Sequence, residues 1–274
     1  MPEFDLSTLT AQSLARIRER TPLIHNITNL VVMNDTANVL LALGASPVMA
    51  HAIEEVREMV AYAGALVLNI GTLEESWIEA MLAAGEEANA RGVPVVLDPV
   101  GAGATKLRTM TTERIRSAVH VAVVRGNAAE LATIAGMEAQ IRGVDAVAAG
   151  DPVSAARLAA ARFGGTAVVS GAVDYVADAT RVAEVHNGHP LMGRITGSGC
   201  MATAIVGAFL AVERDPFLAA TEAMIAFGIA GELAAARSAG PGTFRAHLMD
   251  AVAALDEATI LARTRASIRE TAAA

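Results

Sequence analysis

Pro94-Val95-Val96-Leu97-Asp98-Pro99 is a short, branched apolar run that ends at once on a carboxylate and a proline. Such a run is too short for a buried helix, and it lacks the alternation of a half-exposed strand. It reads as a strand buried on both faces of a parallel sheet. The same design recurs along the chain. Residues 65–70 lead into Gly71-Thr72, residues 121–124 into Arg125-Gly126-Asn127, and residues 167–169 into Ser170-Gly171. Helical stretches at 76–91, 127–135 and 152–163 separate the runs. Strands alternating with helices predict an α/β layered domain with a mostly parallel sheet flanked by helices.

The polar residues gather where the apolar runs end. In open α/β sheets the carboxyl edge of the strands is the ligand edge. Asp98, Arg125, Asn127, Ser170 and the loop from Gly197 to Cys200 are therefore expected to line one cleft. After Ser170 the alternation lapses, and 175–177, a turn at 178–180 and 181–185 read as a hairpin at a sheet edge. No repeat, low-complexity tract or long linker divides the chain, so residues 1–274 are expected to form one domain. The polar, alanine-rich tail after about Arg263 is expected to fray.

Of the 274 residues, 53% are hydrophobic and 18% charged, which permits a large core and argues against disorder. The formal net charge is -8, and Lys106 is the only lysine among 21 basic residues. Without a dense basic cluster, nucleic acid is not an expected partner. A single cysteine excludes an intrachain disulfide framework and fits a reducing compartment. The start, Met1-Pro2-Glu3-Phe4-Asp5, carries acids where a leader would carry bases. The most apolar stretches, 30–50 and 200–212, do not read as membrane spans. A cytoplasmic protein with no membrane partner is expected, and its apolarity leaves room for a subunit interface.

Arg194-Ile195-Thr196-Gly197-Ser198-Gly199-Cys200 precedes thirteen uncharged residues, 200–212, long enough for a buried helix. Gly197, Ser198 and Gly199 then sit at a helix N-terminus, with Thr196 or Ser198 available as cap. Free N–H groups and the helix dipole make such a loop an anion site. Cys200, on the first turn, is expected to be acidified and available as a base. The same residues also suit a plain glycine turn with an inert buried thiol.

No P-loop, dinucleotide glycine fingerprint, H-E-x-x-H or C-x-x-C occurs, and Ser170 lacks the flanking glycines of a nucleophile elbow. Asp98 suits either Mg²⁺, which favours one or two carboxylates with substrate phosphates, or capping of the next turn. Arg125 suits a phosphate grip, and Glu130 suits metal-bound water or a capping box with Asn127. Asn26 suits a polar substrate atom, and Met49 an adaptable apolar wall or core filler. His25 receives no role. His186 and His189 with Glu184 make only a weak metal motif. Together, the glycine loop, Asp98 and the Arg125/Glu130 pair suggest phosphoryl transfer.

Five ordered motifs carry a resemblance from about Pro22 to Leu255. They are His25-Asn26-Ile27-Thr28-Asn29, Gly44-Ala45-Ser46-Pro47-Val48-Met49, Leu97-Asp98-Pro99-Val100-Gly101-Ala102, Arg125-Gly126-Asn127-Ala128-Ala129-Glu130 and Thr196-Gly197-Ser198-Gly199-Cys200. The chain resembles the hydroxyethylthiazole kinases, the thiamine-salvage branch of the ribokinase-like superfamily. The resemblance implies ATP-dependent phosphorylation of 4-methyl-5-(2-hydroxyethyl)thiazole. Arg125 and Ser170 would then contact ATP, Met49 and Gly197 the thiazole, and Asp98 and Glu130 would organise Mg²⁺ and its waters. It implies a homotrimer with sites at subunit boundaries, which makes Asn26 and Met49 candidates to touch a neighbour's substrate. Cys200 stands where ribokinase relatives carry an aspartate base. Two other readings are a hydroxymethylpyrimidine or pyridoxal kinase, and a nucleotide- or thiazole-binding protein without catalysis.

Overall fold

A computed structural model describes residues 5–137 and 151–271. Met1–Phe4 of the acidic start and the last three alanines of the tail lie outside the described residues. The elements run α1 (Leu6–Arg20), β1 (Leu23–Ile27), α2 (Met33–Leu43), β2 (Ser46–Val48), α3 (Val56–Val60), β3 (Ala65–Asn69), α4 (Glu75–Arg91), β4 (Val95–Asp98), α5 (Lys106–Ala118), β5 (Val123–Asn127) and α6 (Ala128–Ile134). They continue with α7 (Pro152–Phe163), β6 (Thr166–Ser170), β7 (Asp174–Ala177), β8 (Arg181–Val185), α8 (Ser198–Leu210), α9 (Pro216–Ala236), α10 (Pro241–Ala254), α11 (Glu257–Arg263) and β9 (Ala266–Glu270).

The nine strands among the described residues form one sheet in the order β2-β1-β3-β4-β5-β6-β7-β8-β9. The first six are mutually parallel and the last three antiparallel. The period-two alternation of the strands divides the core. Val67, Val96, Val123 and Val168 face one apolar layer with α8 and α9. Leu68, Leu97, Val124 and Val169 face the other, with α4 and α7. Helices therefore cover both faces, and the strand runs of the sequence are continuous because neither face meets water.

Three expectations need correction. The hairpin β7–β8 forms, but β8 is not the edge: β9 pairs along it, from Arg181↔Glu270 to Val185↔Ala266. The tail after Arg263 is thus ordered as a strand as far as Glu270, because the open edge of β8 offers it a full hydrogen-bonding ladder. The longest apolar element is α9, which the sequence reading passed over. It has 21 residues and a mean hydropathy of 1.5, long and apolar enough by composition to cross a membrane, and 89% of its apolar window is buried. It packs on the sheet beside α8, against β5–β8, and carries α10 on it.

Because β2, β1, β3, β4, β5 and β6 are parallel, their carboxyl ends share one edge. Met49, Asn29, Asn69, Asp98, Asn127 and Ser170 all lie at or just beyond those ends.

Candidate active site

Asp98 ends β4 and is almost fully buried. Its Oδ2 accepts from Asn69 Nδ2 at 2.9 Å and from the Thr203 hydroxyl at 2.8 Å. Oδ1 receives no donor among the described residues. The turn-capping alternative is not realised, since neither donor comes from the turn after β4. Burial pushes the Asp98 pKa up to about 6, and Glu130 adds to the rise, while Arg125, Thr203 and Asn69 oppose it. Asn69 Oδ1 in turn accepts from Asn29 Nδ2 at 2.8 Å, and Asn29 Nδ2 lies 3.5 Å from Cys200 Sγ. A continuous polar chain thus runs from the end of β1 through β3 and β4 to α8.

The cysteine loop enters α8 differently from expectation. Neither Thr196 nor Ser198 caps the helix. Gly197 is the N-cap residue, at φ +83°, and no side chain bonds the first turn. That φ favours glycine, and a Cβ there would lie 2.6 Å from Val32 Cγ1. Among the described residues the N–H groups of Ser198, Gly199 and Cys200 have no partner, as an anion cradle requires. The acidified thiol is also corrected. Burial and the neighbouring Asp98 push Cys200 up to about 11, outweighing Asn69, Arg125 and Asn29. A helix terminus lowers a thiol pKa only where solvent or cations support the thiolate, and here the site is desolvated next to a carboxylate.

Arg125, on β5, donates from Nη2 to the Ser170 hydroxyl at 2.6 Å. Its guanidinium packs on Gly199, where a Cβ would stand 2.6 Å from Nη1. Arg125 is thereby aimed at the same cradle as the α8 N-terminus. Glu130 realises the capping box, accepting from Asn127 N while Asn127 Oδ1 accepts from Glu130 N. It also accepts from Gly101 N at 2.7 Å, tying the loop after β4 to α6. The capping reading of Glu130 is realised, and its carboxylate keeps lone pairs beyond these two contacts.

Met49 follows β2 on the same edge, two strands from Asn69, and no hydrogen bond joins it to the cysteine loop. Asn26 is fully buried inside β1, and its amide donates to Ile24 O at 2.9 Å. Its Oδ1 is buried without a partner among the described residues, and Asn29, three residues on, stands just beyond the strand end. His186 lies 3.7 Å from Glu184, His189 accepts from Leu191 N, and no group of three or more metal-ligating side chains occurs among the described residues.

Sequence reasoning missed Asn69, Thr203 and Arg108. Asn69 carried a usable signal, a polar residue closing an apolar strand run just as Asp98 does. Thr203 is one turn beyond Cys200 on the same helix face, a spacing that marks it once Cys200 is singled out. Arg108 donates to the carbonyls of Ile70, Gly71 and Val100, bracing the loops after β3 and β4. Nothing in its local sequence shows this, because its three acceptors come from two distant loops.

Comparison with known proteins follows the same lines. Residues 14–258 match the Hydroxyethylthiazole kinase family. The hydroxyethylthiazole kinase of Desulfotalea psychrophila is 53% identical over 249 residues, 90% of this chain and 91% of that protein. That of Rubrobacter xylanophilus is 55% identical over 246 residues, covering 89% and 91%. The hydroxyethylthiazole kinase structure from Pyrococcus horikoshii superposes with a TM-score of 0.86 at 47% identity, covering 96% of this chain and 99% of that one. The pyridoxal kinase of Staphylococcus aureus shares the fold alone, with a TM-score of 0.58 at 14% identity, covering 91% and 99%. The ribokinase-like α/β fold, the phosphate-ready edge and the match over most of the chain agree: the chain belongs to the hydroxyethylthiazole kinase family.

Proposed function

We propose that this protein is a thiamine-salvage kinase that transfers the γ-phosphoryl group of ATP to the hydroxyl of 4-methyl-5-(2-hydroxyethyl)thiazole. The observation that carries the reading is the convergence of Arg125, the open N–H groups of α8 and the Asp98–Asn69–Asn29–Cys200 chain on one edge. Arg125 and Ser170 hold nucleotide phosphate through charge and hydrogen bonding. Gly197, Ser198 and Gly199 supply N–H donors to the oxygens that gain charge during transfer. Met49 and Gly197 contact the thiazole, and Cys200 faces its hydroxyl.

In the transfer, the alcohol oxygen forms the new bond to phosphorus as the bond to the ADP oxygen breaks, and the hydroxyl proton passes late to an oxygen of the transferred phosphoryl group. A loose transition state needs little help from a base before the bond forms. Burial and the neighbouring Asp98 push the Cys200 thiol up to about 11, which suits Cys200 to positioning the hydroxyl.

Magnesium fits the donor set. Asp98 keeps Oδ1 free of protein donors, Glu130 lies near enough to raise its pKa, and a hydrated ion needs only one or two carboxylates beside phosphate. Asp98 and Glu130 would hold it, and it would supply charge neutralisation between the phosphates.

The reading extends to a cytoplasmic homotrimer with sites at subunit boundaries. Leu30, Val31, Leu41, Ile53 and Tyr62 are 47–71% exposed and come from the β1–α2, β2–α3 and α3–β3 connections and α2, the part of the fold that carries Met49. Exposed apolar residues concentrated there support burial by a second subunit.

Coupled measurement of ADP release tests the function. With Mg²⁺ and ATP, the thiazole alcohol is expected to drive release well above hydroxymethylpyrimidine or pyridoxal. Release only with one of the latter two indicates a different vitamin-precursor kinase, and no alcohol-dependent release indicates a binder.

A further inference from the structure

His25 opens the first motif and takes no part in the chemistry described so far. It is fully buried on β1, with Nε2 2.8 Å from Ala50 O and Nδ1 without a partner. A carbonyl only accepts, so Nε2 carries the proton and donates. Burial pushes the ring's pKa below the usual histidine range, which keeps it neutral. A buried ring nitrogen without a partner lowers stability, so its presence calls for a reason.

The reason lies in the segment that His25 holds. The parallel ladder pairs His25 with Val48 and stops there. Among the described residues, Met49, Ala50 and His51 make no backbone–backbone hydrogen bond. Side chains hold the segment instead. His25 grips the Ala50 carbonyl, and His51 Nδ1 lies 3.2 Å from the Met49 carbonyl. The His51 ring rests against Trp77 on α4, with centroids 4.6 Å apart and planes inclined at 39°. Met49 is thus fixed by groups outside its own strand. With neighbouring strands about 4.8 Å apart, Met49 stands on the ligand edge roughly 10 Å from Asn69.

We infer that His25, assisted by His51 and Trp77, is a positioning residue that sets the acceptor pocket by holding Met49 in place. It acts on affinity for the alcohol and leaves the transfer step itself unchanged. The inference rests on Met49 as an acceptor contact, as proposed above. Its outcome is a KM effect confined to one substrate, which a general loss of stability would not produce.

The test compares His25→Leu, which removes the donor, with His25→Gln, whose amide nitrogen reaches about as far as Nε2. In His25→Leu the KM for the thiazole alcohol is expected to rise about 5- to 15-fold, the loss of one buried hydrogen bond, with kcat within about two-fold and the KM for ATP unchanged. His25→Gln is expected to recover most of the loss. His51→Ala, at an exposed position, gives a second route if His25→Leu does not fold, with a smaller rise in the same KM. Trp77 is the chain's single tryptophan, so intrinsic emission reports this spot. Titrating wild type with the alcohol, without nucleotide, is expected to change that emission, and His51→Ala is expected to blunt the change. An unchanged alcohol KM in the folded variants, or a fall in kcat at constant KM, overturns the inference while leaving the kinase reading intact. Wild type that neither responds to the alcohol nor releases ADP with it overturns the kinase reading and this inference together.

Discussion

A thiol on the first turn of a helix is ordinarily acidified by the N–H groups around it, and Cys200 occupies that position. Its pKa nevertheless lies near 11, because Asp98 and the surrounding protein penalise a second negative charge. The position of Cys200 was legible in the sequence, since two glycines before an uncharged run mark a helix start. Its charge state was not, because Asp98 is about a hundred residues away in sequence. As a neutral positioning group, Cys200 is expected to be replaceable. Cys200→Ala should lower kcat less than about 100-fold, below the usual contribution of a working general base. Cys200→Asp should retain substantial activity, since a carboxylate at the same place can orient the hydroxyl by accepting its hydrogen bond. Steady-state kinetics of both variants checks this, and a phosphorylated Cys200 trapped during turnover would contradict the role.

At the scale of elements, α9 places a carboxyl where its own composition gives least support. Glu222 is fully buried in that helix, with the Ser13 hydroxyl of α1 beside its carboxyl but no well-formed hydrogen bond to it among the described residues. Burial pushes its pKa from 4.5 up to about 7; Glu213 and Asp215 add to the rise, while Ser13 and Arg16 of α1 oppose it. Because the folded value is raised, the stabilisation is full below pH 4.5 and is lost as pH rises through about 7. Glu222→Gln should match wild type near pH 4.5 and exceed it at pH 8 by up to roughly 3 kcal/mol, the shift of about 2.5 units converted at 1.36 kcal/mol each. Denaturant unfolding at the two pH values measures this, and equal stability of both proteins at pH 8 would refute it. The strands and helices themselves were legible wherever burial on both faces left continuous apolar runs, as in β3, β4 and β6. The strand β9 was not. Ala266-Ser267-Ile268-Arg269-Glu270 is polar and exposed on much of its surface, and it becomes a strand only because β8 leaves an edge to pair with.

At the scale of the whole molecule, the exposed apolar side chains around Leu30, Val31 and Tyr62 predict an assembly. Light scattering is expected to give three times the 28.1 kDa chain mass. Val31→Glu, at a position 65% exposed, should dissociate the assembly and raise the KM for the alcohol without unfolding the subunit. A wild-type protein that is monomeric and fully active would exclude a shared site. By itself the sequence determined the α/β layering, the parallel edge and the residues at strand ends, because apolar periodicity and the end of each apolar run are local properties. It determined the family as well, through five ordered motifs. Only the tertiary structure decided that Asn69 and Thr203 share one oxygen of Asp98, that Asn29 stands beside Cys200, and that burial next to Asp98 pushes the Cys200 thiol up. Those outcomes depend on desolvation and on partners from distant strands, and both exist only once the sheet has brought them together.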